Sequence, residues 1–128
     1  MTYETAYNSL QMGVCILTFL KKDGTIRNML ATRNTRIASM YGQFDARQFE
    51  GHDRRCGIEN GNIAVYDLII DETRSFNISR LISLNYLGNV STREQLEMDV
   101  ETFKKFAEEY SKNNPMELSM DTTLNGVQ

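Results

Sequence analysis

Val14-Cys-Ile-Leu-Thr-Phe-Leu-Lys-Lys-Asp-Gly-Thr-Ile-Arg-Asn-Met-Leu-Ala-Thr32 decides the fold. Seven residues rich in β-branched and large apolar side chains run into Lys21-Lys22-Asp23-Gly24, and a second run with apolar character returns. Asp-Gly between two such runs is a strong hairpin signal, because glycine accepts the positive φ that a tight turn demands. With Asp23-Gly24 as a two-residue loop, Leu17 faces Leu30 and Thr18 faces Met29 across the pair. Both faces of the hairpin are then partly apolar, as in a coiled strand of a small barrel.

Downstream, Ile63-Ala-Val-Tyr-Asp-Leu-Ile-Ile70 reads as a third strand, with Asp71-Glu72-Thr73 as a polar turn. Arg74-Ser-Phe-Asn-Ile78 is a fourth strand and Leu81-Ile-Ser-Leu-Asn-Tyr86 a fifth, separated by a short Ser79-Arg80 step. Five short strands with tight turns predict a mainly β protein and favour a small five-stranded Greek-key or SH3-like barrel over a sandwich.

Helices flank the strands. Tyr3, Ala6, Tyr7 and Leu10 recur at helical spacing and predict a short N-terminal helix ending near Gly13. Toward the C-terminus, Ser91-Thr92-Arg93-Glu94 fits a capping box. Behind it Leu96, Val100, Phe103, Ala107 and Tyr110 form one apolar stripe, predicting a longer helix over 91–114 that packs on the barrel or on a second copy. The expected organisation is a helix-plus-barrel unit over 1–90, the C-terminal amphipathic helix, and a flexible tail over 115–128. Residues 33–62 are expected to be a long, partly ordered loop, with a turn or two of helix at Phe44–Phe49.

At 128 residues the chain has the size of one domain, large enough to fold without a metal or disulfide staple. Its net charge of −3 is uneven: residues 1–90 carry ten Lys/Arg against nine Asp/Glu, and residues 91–128 four against eight. Anion binding must therefore come from a local patch, since no overall basic field exists. The apolar run Val14–Leu20 is too short to span a bilayer and lacks the marks of a signal peptide. A cytoplasmic protein is expected, and Cys15 and Cys56 do not make a disulfide scaffold.

The β blocks resemble a family of short phage-encoded WYL-type proteins with an Sm-like SH3 β-barrel fold. The resemblance rests on Phe19-Leu-Lys-Lys-Asp-Gly-Thr-Ile-Arg27, Val65-Tyr-Asp-Leu68, Arg74-Ser-Phe76 and Leu81-Ile-Ser-Leu84, and covers about residues 13–87. Where Trp is common in that family, this chain has Tyr66. The resemblance implies a barrel, and a role in sensing nucleotide or nucleic-acid ligands, often in transcriptional regulation.

Among residues that carry chemistry, His52 and Cys56 are spaced to share a cation, but a structural zinc site wants four ligands. Cys15 lies in an apolar strand and reads as a small hydrophobe. No convergent nucleophile, base and oxyanion set is visible, and no glycine-rich phosphate loop, so neither an enzyme nor a cofactor is expected. The arginines are the stronger lead. Arg33, Arg36, Arg54 and Arg55 of the long loop, with Arg27, Tyr66 and Arg74 on strands, are the candidate ligand-binding residues. Tyr41, Phe44 and Phe49 are further candidate rings. The opposing reading is that the arginines pair with local carboxylates and the rings dock the loop.

Two functions follow as expectations. One is a non-catalytic phage accessory or regulatory module that binds nucleic acid or a nucleotide-like ligand. The other is a protein-interaction module that inhibits or redirects a host protein. Self-association through the C-terminal helix is open in both, and neither involves a membrane.

Overall fold

The computed structural model describes residues 1–41, 44–56 and 58–113, with the backbone alone for Tyr41, His52, Arg54, Arg55, Cys56 and Ile58. The tail expected over 115–128 lies outside the described residues. The elements run α1 (Tyr3–Met12), β1 (Val14–Leu20), β2 (Ile26–Thr32), α2 (Thr35–Tyr41) and α3 (Arg47–Cys56). A 3₁₀ turn (Ile58–Asn60), β3 (Asn62–Asp67), β4 (Glu72–Asn77), a second 3₁₀ turn (Ile78–Arg80), β5 (Leu81–Gly88) and α4 (Arg93–Asn113) complete the chain.

The strands form one antiparallel sheet in the order β4-β3-β2-β1-β5. That order forces the sheet to curl. Laid flat, four strand spacings would put β4 about 19 Å from β5. The steps from Asn77 to Leu81 span at most about 14 Å when fully extended, and less through a 3₁₀ turn. The sheet therefore wraps into the small barrel that the five short strands predicted. Breaks in the β1–β5 register, between Val14 and Cys15 and between Thr18 and Phe19, supply the bending.

The β1–β2 hairpin forms where expected, with its register shifted by one residue. Leu17 pairs with Met29, and Leu30 with Ile16. The loop has three residues between the paired Lys21 and Thr25: the Gly24 amide donates to the Lys21 carbonyl at 3.0 Å, and the Lys21 amide to the Thr25 carbonyl at 2.7 Å. Gly24 takes the left-handed position, at φ 90°. Asp23 does not occupy a two-residue loop. Its carboxylate accepts from the Thr25 amide and hydroxyl at 3.0 and 2.6 Å and locks the longer turn.

Strand β3 ends three residues before Ile70. The Asp67 carboxylate accepts from the amides of Ile69 and Ile70 at 2.9 and 3.3 Å, and the Asp71 amide donates to the Asp67 carbonyl at 2.9 Å. This side-chain turn competes with the ladder and wins, so Ile69 and Ile70 stand exposed at a tip that Asp71 closes at φ 59°.

Two apolar layers hold the fold. Cys15, Leu17, Phe19, Met29, Ala31, Ile63, Val65 and Phe76 fill the barrel interior, and α1 closes it with Ala6 and Leu10. Gly13 lets α1 turn directly into β1, because a Cβ there would lie 2.2 Å from the Gly88 carbonyl oxygen. On the outer face Val14, Ile16, Leu30, Ala64 and Tyr66 meet Ile37, Phe49, Leu96, Val100 and Phe103 from α2, α3 and α4. The stripe of the C-terminal helix thus packs on its own barrel.

The expected loop 33–62 is mostly helix. The Asn34 side chain accepts from the Ile37 amide at 3.1 Å and starts α2; the Asp45 carboxylate accepts from the Arg47 amide at 2.9 Å and starts α3. At α4 the cap falls one residue later than Ser91. Thr92 accepts from the Gln95 amide at 3.2 Å, and the Gln95 side chain accepts from the Ser91 amide at 2.8 Å.

Candidate basic groove at the barrel mouth

Three of the seven candidate ligand residues are engaged by the protein itself, Arg33 and Tyr66 in its interior and Arg36 at its surface. Arg33 is buried, at 6% exposure. Its guanidinium donates to the Ala64 carbonyl (2.8 Å), the Gln11 side chain (3.2 Å), the Tyr7 hydroxyl (3.2 Å) and both Asp53 carboxylate oxygens (3.4 and 3.3 Å). It also lies over the Tyr7 and Phe49 rings, at 4.6 and 4.8 Å from their centroids. All five N–H groups have partners, so Arg33 is a structural hub joining α1, β3 and α3. Arg36 donates to the Asn89 side chain (2.6 Å) and the Val90 carbonyl (2.7 Å), tying α2 to the segment that leads into α4. Tyr66 is 2% exposed and meets Phe44 edge-on at 5.1 Å. Phe44 in turn packs on Phe49 at 4.7 Å. Tyr66 and Phe49 belong to the outer core, and the half-buried Phe44 packs against it. The side chains of Arg54, Arg55 and Tyr41 lie outside the described residues.

Arg27 and Arg74 are brought together. With Phe19, Lys21, Met29 and Ser75 they line an open hollow of about 400 Å³. A neighbouring hollow of about 860 Å³ shares Phe19, Lys21 and Ser75 with it and continues past Lys22, Asn62 and Asn77 to Arg80. The two make one groove between the turn end of the β1–β2 hairpin, β4 and the 3₁₀ turn before β5. Five cationic residues line it (Lys21, Lys22, Arg27, Arg74 and Arg80) and, among the described residues, no carboxylate does, although Asp23 pairs with Lys21 from outside the lining at 4.0 Å. In a chain of net charge −3 this is a strong local concentration of positive charge. Its floor is aromatic, with Phe19 and Phe76 stacked at 5.7 Å.

Local geometry fixes the walls. The Arg80 guanidinium donates to the Lys21 carbonyl at 3.1 Å and clips the 3₁₀ turn to the hairpin. The Asn77 side chain donates to the Asn60 carbonyl and Asn62 side chain at 2.9 and 3.0 Å, and accepts from the Ser79 amide and hydroxyl at 2.9 and 2.6 Å. Lys21, Lys22 and Arg80 were legible only as turn residues, because nothing local in the sequence places the hairpin turn beside the β4–β5 link.

The family model described as WYL_2, Sm-like SH3 beta-barrel fold, matches residues 3–82. The chain belongs to this family. No curated protein and no solved structure matches it. The WYL_2 match runs from α1 into β5 and takes in the whole groove; α4 lies beyond it.

The Tyr66-Asp67 pair has a structural part here. Burial pushes the Asp67 carboxyl up from its ordinary range, while the Ile69 and Ile70 amides and the charge of Arg27 pull it partly back. A raised folded-state pKa means the folded protein holds this proton more tightly than the unfolded chain. Its stabilisation is full below the unfolded carboxyl pKa and is lost as pH rises through the folded value. Asp67→Asn keeps an oxygen acceptor for both amides and has no charge to desolvate. It should raise the melting temperature at neutral pH and lose that advantage in acid. A thermal melt series across pH checks this.

Proposed function

We propose that this WYL_2 chain is a non-catalytic binding module for nucleic acid or a nucleotide-like ligand, and that the groove lined by Lys21, Lys22, Arg27, Arg74 and Arg80 is its binding surface. The observation that carries the reading is the clustering of five cations in one concave surface whose described lining holds no carboxylate, with Asp23 offsetting only Lys21 from outside it. Phosphate recognition needs that arrangement, and counterion release supplies the affinity. Burial pushes the Cys15 thiol up to about 12, which leaves it protonated and a poor nucleophile. Among the described residues no cluster of His, Cys, Asp and Glu could hold a metal, and no helix is long and apolar enough to cross a membrane. A cytoplasmic, regulatory setting belongs to the same proposal.

Charge change in the groove tests the site. Lys22→Glu combined with Arg74→Gln should weaken binding of a labelled oligonucleotide at least tenfold. The melting temperature should stay near the parent value, since such surface changes stay within about 0.5 kcal/mol. Arg54→Glu with Arg55→Glu on α3 is the comparison. Loss of binding in the α3 pair, with the groove pair unaffected, would move the site to α3.

A second reading, a protein-interaction module directed at a host protein, is favoured by the exposed Ile69 and Ile70 at the β3–β4 tip and by Ile82 and Tyr86 on the edge strand β5. Binding that survives nuclease and is lost in Ile69→Ser with Ile70→Ser would support it over the groove.

A further inference from the structure

We propose that the groove takes an extended single strand of nucleic acid and reads its phosphates, leaving the bases outside. This rests on the reading of the groove as the nucleic-acid site and adds the form of the ligand and the manner of its recognition.

The shape argues for a strand. The larger hollow alone, at about 860 Å³, would hold a small-molecule ligand. It does not close around one. It opens into the second hollow across Phe19, Lys21 and Ser75, and cations stand along both. Lys22 and Arg80 line only the first hollow, Arg27 and Arg74 only the second, and Lys21 lines both. A mononucleotide could engage one end of such a track; successive phosphates of a chain can engage all of it.

The rings argue against base reading. Sequence-tolerant single-strand sites usually stack bases on exposed aromatic side chains. Phe19 and Phe76 are 8% and 4% exposed and stack on one another. Tyr66, Phe44 and Phe49 are packed together on the outer face of the sheet. Among the described residues, no exposed ring face lines the groove for a base. The Asn77 carboxamide, a natural reader of base edges, is taken up by Asn60, Asn62 and Ser79. What remains toward the ligand is ammonium and guanidinium charge.

The test compares three labelled probes on the intact protein by fluorescence anisotropy: thymidine monophosphate, an oligothymidylate of about ten nucleotides, a length within known single-strand site sizes, and an abasic strand of the same length. The inference expects both strands to bind within about threefold of each other and the mononucleotide far more weakly. Each phosphate contact should lower log K against log salt by about 0.7, so a strand held by four cations gives a slope near −3. The Lys22→Glu, Arg74→Gln protein should show a slope shallower by one to two such contacts. Loss of binding with the abasic strand would overturn the inference in favour of base reading and leave the groove as a nucleic-acid site. Equal affinity for the mononucleotide would overturn it in favour of a nucleotide site. If none of the probes binds, the proposed function falls with it.

Discussion

Arg33→Ala should be among the most damaging single substitutions in this protein, costing about 3–5 kcal/mol, enough to unfold a marginal domain. The side chain is buried and lies between three elements. Removing it leaves the Asp53 carboxylate without its cation, the Ala64 carbonyl without its donor, and the Tyr7 and Phe49 rings without the plate between them. The Arg33 backbone is also engaged, its amide donating to the Leu10 carbonyl at 2.9 Å, so the chain cannot simply swing away. Arg33→Lys separates charge from geometry. A lysine restores the ion pair with Asp53, but a single ammonium cannot meet Ala64, Gln11, Tyr7 and two carboxylate oxygens together. It should recover only part of the loss. Urea denaturation measures both variants. Equal stability of Arg33→Ala and parent would mean that the hub carries no net energy, and Arg33 would return to the list of ligand candidates.

A cluster of arginines in a long segment between strands has the character of a binding loop in the sequence. Burial cannot be read from an arginine's identity, and Arg33 sits immediately after a strand whose last residues are buried. The available hint was Asp53, twenty residues on, yet a carboxylate at that distance pairs with Arg33 only once α3 has packed. Arg27 and Arg74 were singled out on strands and do meet. Their neighbours Lys21, Lys22 and Arg80 were not, because the groove exists only after the short link from β4 has carried β5 around to β1. Tyr66 failed as a stacking ring for a related reason. Its strand is covered on both faces, so alternation gives no signal for which side chains reach solvent.

The secondary structure was more legible, and its errors are local competitions between neighbouring residues. In Lys22-Asp23-Gly24 the Asp-Gly pair fits a two-residue turn, but the hydrogen bonds from Thr25 to Asp23 favour a three-residue turn and shift every cross-strand pair by one. In Ser91-Thr92-Arg93-Glu94-Gln95 two overlapping capping boxes exist, Ser91 with Glu94 and Thr92 with Gln95, and the second is the one used. At Asp67 a short polar side chain stops a strand whose next three residues, Leu68, Ile69 and Ile70, are all β-compatible. Helices α2 and α3 had readable starts in Asn34 and Asp45. They lack a long apolar stripe, since mainly Ile37, Ala38 and Phe49 reach the core, and periodicity cannot detect a stripe that short.

Phe103→Ala should cost about 3–5 kcal/mol, the usual loss for truncating a buried phenylalanine. At roughly 3–5 °C per kcal/mol for a domain of this size, the melting temperature should fall by about 10–20 °C. The reasoning starts from the sheet. Its outer face is apolar on β1, β2 and β3, through Val14, Ile16, Leu30, Ala64 and Tyr66, and a barrel of this size cannot leave that face in water. Helix α4 covers it with Leu96, Val100 and Phe103, all buried, while Glu97, Glu101, Lys104 and Lys105 turn outward. The cover lies beyond residues 3–82 of the family match, so in this chain the barrel's stability depends on a segment outside the WYL_2 region. Phe103→Ala should therefore lower a single cooperative transition, with circular dichroism of the helix and a probe of the barrel melting together. The groove lies elsewhere, and where the variant is folded its affinity for an oligonucleotide should match the parent. Separate transitions for helix and barrel, or an unchanged melting temperature, would show that α4 is not part of the domain's core and that the outer face is covered by another element.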